Sequence, residues 1–540
     1  MNRRNKYFNQ YLFFLKKKNK IEGRREEEKK KYIKLQTFPD CLHLIFNHLK
    51  NDRSTLFKCI QVNKLWCHIA MPYLWYNPFE YSNPKGDLLI KTLLNCLPQN
   101  EKQILDDIRL FEYSFKNITP LFNYPKFIIC FNSENFINYV KQLFNSNITL
   151  ILHLIGNMIF HRFDRLKILE LHFNDQYNNQ NDYKLIEDIN SSIKFQQSLT
   201  KLTRFEIQIY INEHTNFIIN LFDKISKSCN NIHHLSFIIY KGKYNFYQSL
   251  DNSISSLIKS QSELKSLVMN EYCLSYENTS IYDAISSTHS NSLKYLGFCV
   301  INDYSLLMKI ILACKNLETL EITQQGNNEK LFNIDDEIIT NQEISIKYFY
   351  YHDIIGNENF IKTILKMSSR NFKSFSSKYI TEEIIDTMEF YCPNITCLNI
   401  LMNSNHILNL IHLISGLEFL KYFTLELENG WPKYRDERLQ LFANILPKSL
   451  TYLVLNFYIT PHQLNFFLKE CAKIQLHTLK LMYFNHNDLD HLKVIVDYSK
   501  EFNHLKQVKF MERRLYESET NIDETVDCDV KPFNFSHYVK

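Results

Sequence analysis

The stretch CKNLETLEI, residues 314–322, shows the pattern that decides the fold of most of this chain. Counted from Leu317 as position 0, its apolar residues stand at positions 0, 3 and 5, which is typical of a strand that buries alternate side chains. The pattern recurs as LKILEL, LTRFEI, IHHLSF, LKSLVM, LKYLGF, LETLEI, IKYFYY, FKSFSS, ITCLNI, LKYFTL, LTYLVL, LHTLKL and LKQVKF, starting at residues 166, 202, 232, 264, 293, 317, 346, 372, 395, 420, 450, 476 and 505. The twelve steps from 166 to 505 average about 28 residues.

Amphipathic helices are predicted between these strands. Two apolar stripes at helical spacing illustrate them: Phe217, Ile218, Leu221, Phe222 and Ile225, and then Leu306, Leu307, Ile310 and Ile311. One strand and one helix in every 20–29 residues is the signature of a leucine-rich-repeat solenoid. The expected fold class is therefore α/β, and the alternative is a loosely repetitive α/β domain.

The N-terminal stretch FPDCLHLIFNHLKNDRSTLFKCIQVNKLWCHIA, residues 38–70, has a different rhythm. It predicts three short helices: the first opens at Pro39, the second follows an N-cap at Asn51-Asp52, and the third follows an N-cap at Asn63 and closes at Leu74-Trp75. Domains of this size are marginal even with well-made cores. We therefore expect part of the apolar surface to need another protein, with a cap on the rest of this chain as the alternative.

This stretch resembles an F-box. The resemblance implies docking on an SKP-type adaptor, and through it on a cullin–RING ubiquitin ligase. It rests on Phe-Pro at the start, on Val62-Asn63 followed by Trp66, and on the closing Leu74-Trp75; Phe38 departs from the usual leucine. The adaptor-binding residues expected from it are Phe38, Pro39, Leu42, Ile45, Phe46, Leu49, Leu56, Val62, Trp66, Leu74 and Trp75.

Three repeats enter their strand through Cys-x-Asn and an apolar residue, at Cys229, Cys314 and Cys392. This resembles the cysteine-containing repeats found in many F-box proteins, and a buried cysteine acts there as a small hydrophobe without a metal. The asparagine of the family at position 8 is present only at Asn174 and Asn403, so an irregular solenoid is expected.

The expected function follows from the two parts together: a substrate receptor of an SKP–cullin–F-box ligase, in which the repeats bind a protein target. Strand positions 2, 4 and 6 are expected to line the concave face. The target-binding residues predicted there are Arg204, Glu206, Glu321, Tyr348, Tyr350, Asn399, Tyr422 and Tyr452. Two alternatives stay open: an F-box scaffold without a degradation role, and a nucleic-acid binder through the basic tail.

The composition argues against catalysis by this chain. Its 9 glycines never come closer than the 14 residues between Gly416 and Gly430, so glycine-rich nucleotide loops and the nucleophile elbow are excluded in their usual forms. The cluster from His486 to His491 is accounted for by a helix N-cap, and Cys392 with Cys397 lacks a second pair. We expect no catalytic residues, no metal and no cofactor.

Charge and cysteine usage give the remaining expectations. Residues 1–36 hold 13 Lys/Arg against 4 Glu, which leaves the rest of the chain at −4 and argues against a nucleic-acid-binding body. The tail is either an import signal or a solvated segment. Scattered cysteines without a signal sequence favour the cytoplasm or nucleus, and the longest apolar stretch, Ile148 to Phe160, is too short for a membrane span. The predicted parts are a basic tail (1–36), the F-box (37–78), a helical linker and cap (79–160), the repeats (161–515) and an acidic tail (516–540).

Overall fold

The computed structural model describes residues 38–511, except for 81–85, 108–118, 145, 163–164, 174–191 other than 185, 187 and 189, 211–214, 241–246, 270–279, 299–303, 324–341, 353–356, 379, 428–430, 432–435, 483–488, 502–504 and 506. The basic tail, the acidic tail and the segment His486–Asp488 lie outside the described residues. The chain divides into two compact units: residues 1–209 with 214–229, and residues 210–213 with 230–540.

The first unit begins with helices and continues with parallel strands. Its elements are α1 Phe38–His48, α2 Arg53–Cys59, α3 Lys64–Leu74, α4 Gly86–Asn95, α5 Gln99–Asp107, β1 Cys130–Asn132, α6 Ser133–Leu143, α7 Ile148–Arg162, β2 Ile168–His172, α8 Ile193–Leu199, β3 Arg204–Tyr210 and α9 Thr215–Ser228. β2 pairs in parallel with β1 on one side and with β3 on the other. The helical linker expected over 79–160 contains the helices α4 and α6.

Side-chain caps explain where the second and third helices begin. Asp52 accepts a hydrogen bond from the Thr55 backbone N–H at 2.9 Å, and Asn63 accepts one from the Trp66 backbone N–H at 2.9 Å. Such caps satisfy backbone donors that have no partner inside the helix. Both caps are where the sequence predicts them.

Strand β1 is an addition to the predicted repeats. The linker 79–160 fits no repeat pattern in the sequence, yet Cys130, Phe131 and Asn132 pair with Ile168, Leu169 and Glu170. A strand of three residues is too short to show a clear alternation of buried and exposed side chains in the sequence, because the residues around it form helices. The parallel sheet of this unit therefore begins one strand earlier than the pattern indicates.

The second unit repeats a strand and a helix. Its elements are β4 His234–Tyr240, α10 Tyr247–Lys259, β5 Ser266–Met269, α11 Ser280–Thr288, β6 Tyr295–Phe298, α12 Tyr304–Ala313, β7 Thr319–Ile322, β8 Tyr348–Tyr351, α13 Glu358–Ser368, β9 Ser374–Ser377, α14 Glu382–Tyr391, β10 Cys397–Met402, α15 Ile407–Gly416, β11 Tyr422–Leu427, α16 Asp436–Ile445, β12 Tyr452–Asn456, α17 Pro461–Glu470, β13 Thr478–Met482, α18 Leu489–Glu501 and β14 Gln507–Met511. Each strand pairs in parallel with the next one along the chain.

Every strand of the second unit begins two residues after the first apolar residue of its pattern. Thr319 follows Leu317 in this way, and its Cα pairs with that of Tyr295 on one side and Tyr348 on the other. The pattern therefore predicts both the strands and their register. The α/β class with helices alternating between parallel strands is confirmed.

The core of the second unit lies between the sheet and the helices. In β4–β13, pattern positions 3 and 5 are buried, and strand residues contact helix residues there: Phe349 meets Phe360 at 6.4 Å and Phe423 meets Phe442 at 6.0 Å between ring centres. Cys392 is buried in the same layer, where burial raises its pKa to about 12. It behaves as the small hydrophobe that the sequence predicts.

Candidate protein-binding surfaces

The first candidate surface belongs to the three N-terminal helices, which close a core of their own. The residues of this core share near-complete burial and come from all three helices: Leu42, Phe46, Leu56, Cys59, Trp66, Ile69 and Ala70. The Trp66 ring meets Phe46 edge-on at 5.5 Å between centres, a favoured aromatic geometry. We call these helices with this core the N-terminal cluster.

The cluster leaves a set of apolar side chains in solvent. They lie on α1, on α2, in the turn after α2 and at the start of α3, and they are Leu44, Ile45, Phe57, Val62 and Leu65. Single exposed hydrophobic residues are common, but five in so short a stretch are more than helix formation requires. These five are called the exposed apolar set below.

The structure sorts the predicted adaptor-binding residues into two classes. Leu42, Phe46, Leu56, Trp66 and Trp75 are buried, and Pro39, Leu49 and Leu74 are partly buried. Ile45 is 40% exposed and Val62 is 51% exposed, while the side chain of Phe38 lies outside the described residues. The buried members other than Trp75 therefore belong to the core of the cluster, and Ile45 and Val62 are the accessible ones.

Sequence reasoning missed Leu44, Phe57 and Leu65. Phe57 and Leu65 each stand beside a core residue in the sequence, and Leu44 stands two residues from Leu42 and from Phe46; on a helix successive residues point about 100° apart, so these three positions turn away from the core. The signal was present in the periodicity, because an apolar residue next to the core stripe is the one left outside.

The cluster is fastened to the chain that follows it. Arg53 Nη1 donates to the Asn77 carbonyl oxygen at 2.9 Å, and the Tyr76 carbonyl accepts hydrogen bonds from the backbone N–H groups of Ile129 and Cys130. The Trp75 ring lies 4.6 Å from Tyr124 between centres. Trp75 thus joins the cluster to the segment leading into β1.

The second candidate surface is the sheet face that carries pattern positions 2, 4 and 6. Alternate residues of a strand point to opposite faces, so these positions lie opposite the helix-packed residues. We call the part of this face in the second unit the open sheet face. Along β7–β13 its position-2 residues follow one another in register: Thr319, Tyr348, Ser374, Cys397, Tyr422, Tyr452 and Thr478.

The register divides the predicted tyrosines into two pairs. Tyr422 and Tyr452 are direct neighbours with ring centres 5.8 Å apart. Tyr348 and Tyr350 share β8, which is three strands away from β11, the strand of Tyr422. The ring of Tyr350 is stacked with that of His352, and the ring centres are 6.4 Å apart. All four tyrosines are partly buried. The arrangement is two aromatic pairs and not one column.

The predicted acidic residues are far less accessible than the tyrosines. Glu321 is 3% exposed, the Tyr295 hydroxyl donates to its Oε2, and burial raises its pKa to about 8. In the first unit, Glu206 is buried and paired with Arg204 Nε, and Arg204 also lies 4.0 Å from Glu170. Glu206 thus pairs with Arg204 and Glu321 accepts from a tyrosine hydroxyl, and both carboxyl groups lie beneath the surface that a partner would touch.

The last strands of the open sheet face carry further polar groups. Asn399 Nδ2 donates to Ser376 Oγ at 3.1 Å, and Lys480 Nζ lies 5.5 Å from the ring centre of Tyr452. The distance between Lys480 and the ring is typical of a cation–π contact. Asn399, Tyr422 and Tyr452 are thus the predicted target-binding residues that lie together on β10–β12.

No group of three potential metal ligands gathers among the described residues. None of the described helices combines the length and apolar character that a membrane crossing requires.

No protein-family model matches this chain, and the search of curated proteins found no match either.

Proposed function

We propose that this chain is a non-catalytic substrate receptor of an SKP–cullin–F-box ubiquitin ligase. The N-terminal cluster binds an SKP-type adaptor, and the leucine-rich-repeat face binds a protein target. The chain then raises the concentration of that target near a ubiquitin-charged enzyme, which makes transfer effectively intramolecular.

The observation that carries the proposal is the exposed apolar set on a cluster whose core is already complete. Leu42, Leu56 and Trp66 fill that core, and the exposed apolar set stands outside it. Apolar side chains that a helical unit leaves in water gain about 25 cal/mol per Å² when a partner covers them. Two residues of the set, Ile45 and Val62, are also among the residues that the F-box resemblance assigns to the adaptor, which supports an adaptor as that partner.

Adaptor binding is tested at Ile45 and Val62, the two residues that are predicted to bind the adaptor and are also exposed in the structure. Ile45→Asp and Val62→Asp place a carboxylate in the proposed interface, where an unpaired charge costs several kcal/mol. Each variant should lower co-purification with a recombinant SKP-type adaptor by about tenfold or more, since about 1.4 kcal/mol is tenfold in affinity. Ile193→Asp, at another exposed residue of the first unit, is the matched control and should bind normally.

Helix content by circular dichroism shows that the variants are folded. Normal adaptor binding by folded Ile45→Asp and Val62→Asp proteins would refute the adaptor half of the proposal.

The target half is tested at the adjacent tyrosines. Tyr422→Ser with Tyr452→Ser should lose captured proteins and keep the adaptor, because each aromatic hot spot contributes about 2 kcal/mol or more. Tyr458→Ser, an exposed tyrosine just after β12, is the control and should retain both. Capture that is unchanged in the double variant would place target binding away from this face.

The level of captured proteins in cells separates a receptor from a scaffold. Ile45→Asp should still capture the target but lose the ligase, so a target destined for degradation accumulates. A steady target level in cells carrying Ile45→Asp would favour the scaffold.

A further inference from the structure

Lys480 on β13 is a cation enclosed by the open sheet face. It is 8% exposed, its Nζ lies over the Tyr452 ring, and its register partner on β12 is the buried Val454. Within the described ranges, no carboxylate forms an ion pair with this ammonium group and no oxygen accepts a hydrogen bond from it. Burying a charge without an ion-pair partner is unfavourable. An anion bound next to Lys480 would therefore lower the free-energy cost of burying its charge.

A second lysine occupies the neighbouring position. The Cα of Lys480 pairs with that of Lys509 on β14, so the register sets two basic residues at the same position of neighbouring strands. The acidic residue of β11–β13 is Glu426, two strands across and two residues along from Lys480, a separation of about 12 Å from strand geometry. Glu426 forms no ion pair with Lys480, whose ammonium lies over the Tyr452 ring.

An acidic segment follows β14 in the sequence. After β14 ends at Met511, residues 517–529 contain six acidic and no basic residues: Glu517, Glu519, Asp523, Glu524, Asp527 and Asp529. Six residues of extended chain span up to about 20 Å. Adjacent strands are about 4.8 Å apart, so every acid of this segment can reach Lys480. Tyr516, Ile522 and Val526 add apolar side chains between the charges.

We propose that the acidic segment 517–529 of this chain binds the open sheet face around Lys480, with its apolar residues against Tyr422 and Tyr452. The tether holds the segment at an effective concentration in the millimolar range, so weak contacts suffice for occupancy. A partner that uses Tyr452 has to displace the segment first. This inference does not depend on ubiquitin ligase function.

Lysine reactivity in the full-length chain tests the contact. In a tail-neutral variant, the six acids are replaced by their amides (Glu→Gln, Asp→Asn), and lysines are acetylated briefly and quantified by mass spectrometry. Lys480 should react about threefold faster or more in the tail-neutral variant, because the tethered segment no longer covers it. Lys469, which is exposed on α17, should react equally in both proteins. Equal Lys480 rates in the two proteins would overturn the proposal.

A binding measurement in trans tests the same contact independently of reactivity. A labelled peptide of residues 516–530 should bind the tail-neutral chain, and the affinity should fall in about 1 M NaCl, where the Debye length is about 3 Å. Lys480→Met in that background should weaken binding by about fivefold or more, whereas Lys469→Met should leave it unchanged. Peptide binding that is indifferent to Lys480→Met, or no binding at all, would refute this site.

Discussion

Ionisation of Glu321 should make the folded second unit less stable as pH rises. Its carboxyl is 3% exposed, and burial raises its pKa from 4.5 to about 8 against the opposing hydrogen bond from Tyr295. Between those two pKa values the folded chain binds a proton that the unfolded chain has lost. The stabilisation is therefore complete below the unfolded pKa and is lost as pH rises through about 8.

The magnitude follows from the size of the shift. Each pH unit inside the window lowers the free energy of unfolding by about 1.4 kcal/mol. From about pH 5.5 to about pH 7.5 this residue should remove about 2.7 kcal/mol. Glu321→Gln keeps an oxygen that accepts from the Tyr295 hydroxyl and cannot ionise, so its stability should lack this slope.

Urea unfolding at several pH values measures the difference between the variant and the natural chain. The Glu321→Gln chain should gain stability relative to the natural chain by about 1.4 kcal/mol per pH unit, at unchanged m-value. Glu263→Gln is the control, because Glu263 is exposed and paired with Lys265 at 3.5 Å; it should follow the natural chain. Parallel curves for Glu321→Gln and the natural chain would refute the argument from burial.

Three further expectations concern local structure. Leu56→Ala should destabilise the N-terminal cluster by about 2–5 kcal/mol, whereas Leu44→Ala at an exposed position should cost less than about 0.5 kcal/mol, as measured by amide exchange of the helices. Asn63→Ala removes an N-cap and should cost about 1 kcal/mol in the same measurement. Alkylation followed by mass spectrometry should modify exposed Cys41 long before buried Cys392, whose pKa of about 12 keeps it a thiol; equal rates would contradict the burial.

The sequence predicts the sheet well because the strand pattern is set by local alternation. Leu317, Leu320 and Ile322 place β7 in the chain, and the shared starting offset aligns it with its neighbours in register. The same reasoning fails for β1, where Cys130 to Asn132 offers too few residues to alternate.

The candidate surfaces are less predictable because exposure depends on packing between elements. Position 4 correctly assigns Glu321 to a face of its strand, but nothing in the local pattern reveals that the carboxyl is enclosed beside Tyr295. In the N-terminal cluster, the residues that resemble an F-box include core residues such as Trp66 together with exposed residues such as Val62. Only the packed helices separate the two classes.

Every strand of the second unit begins at the same position of its pattern. Insertions outside the strands therefore do not change the rows of side chains on the open sheet face. The pattern starts are 23 to 36 residues apart, yet Tyr422 still stands beside Tyr452 and Thr478 follows in the same row. Length changes in a helix or its loops leave each row aligned, whereas one residue added inside a strand would turn its side chains to the other face. Evolution or protein engineering can therefore substitute single side chains at positions 2, 4 and 6 of the strands while the helices and loops vary in length.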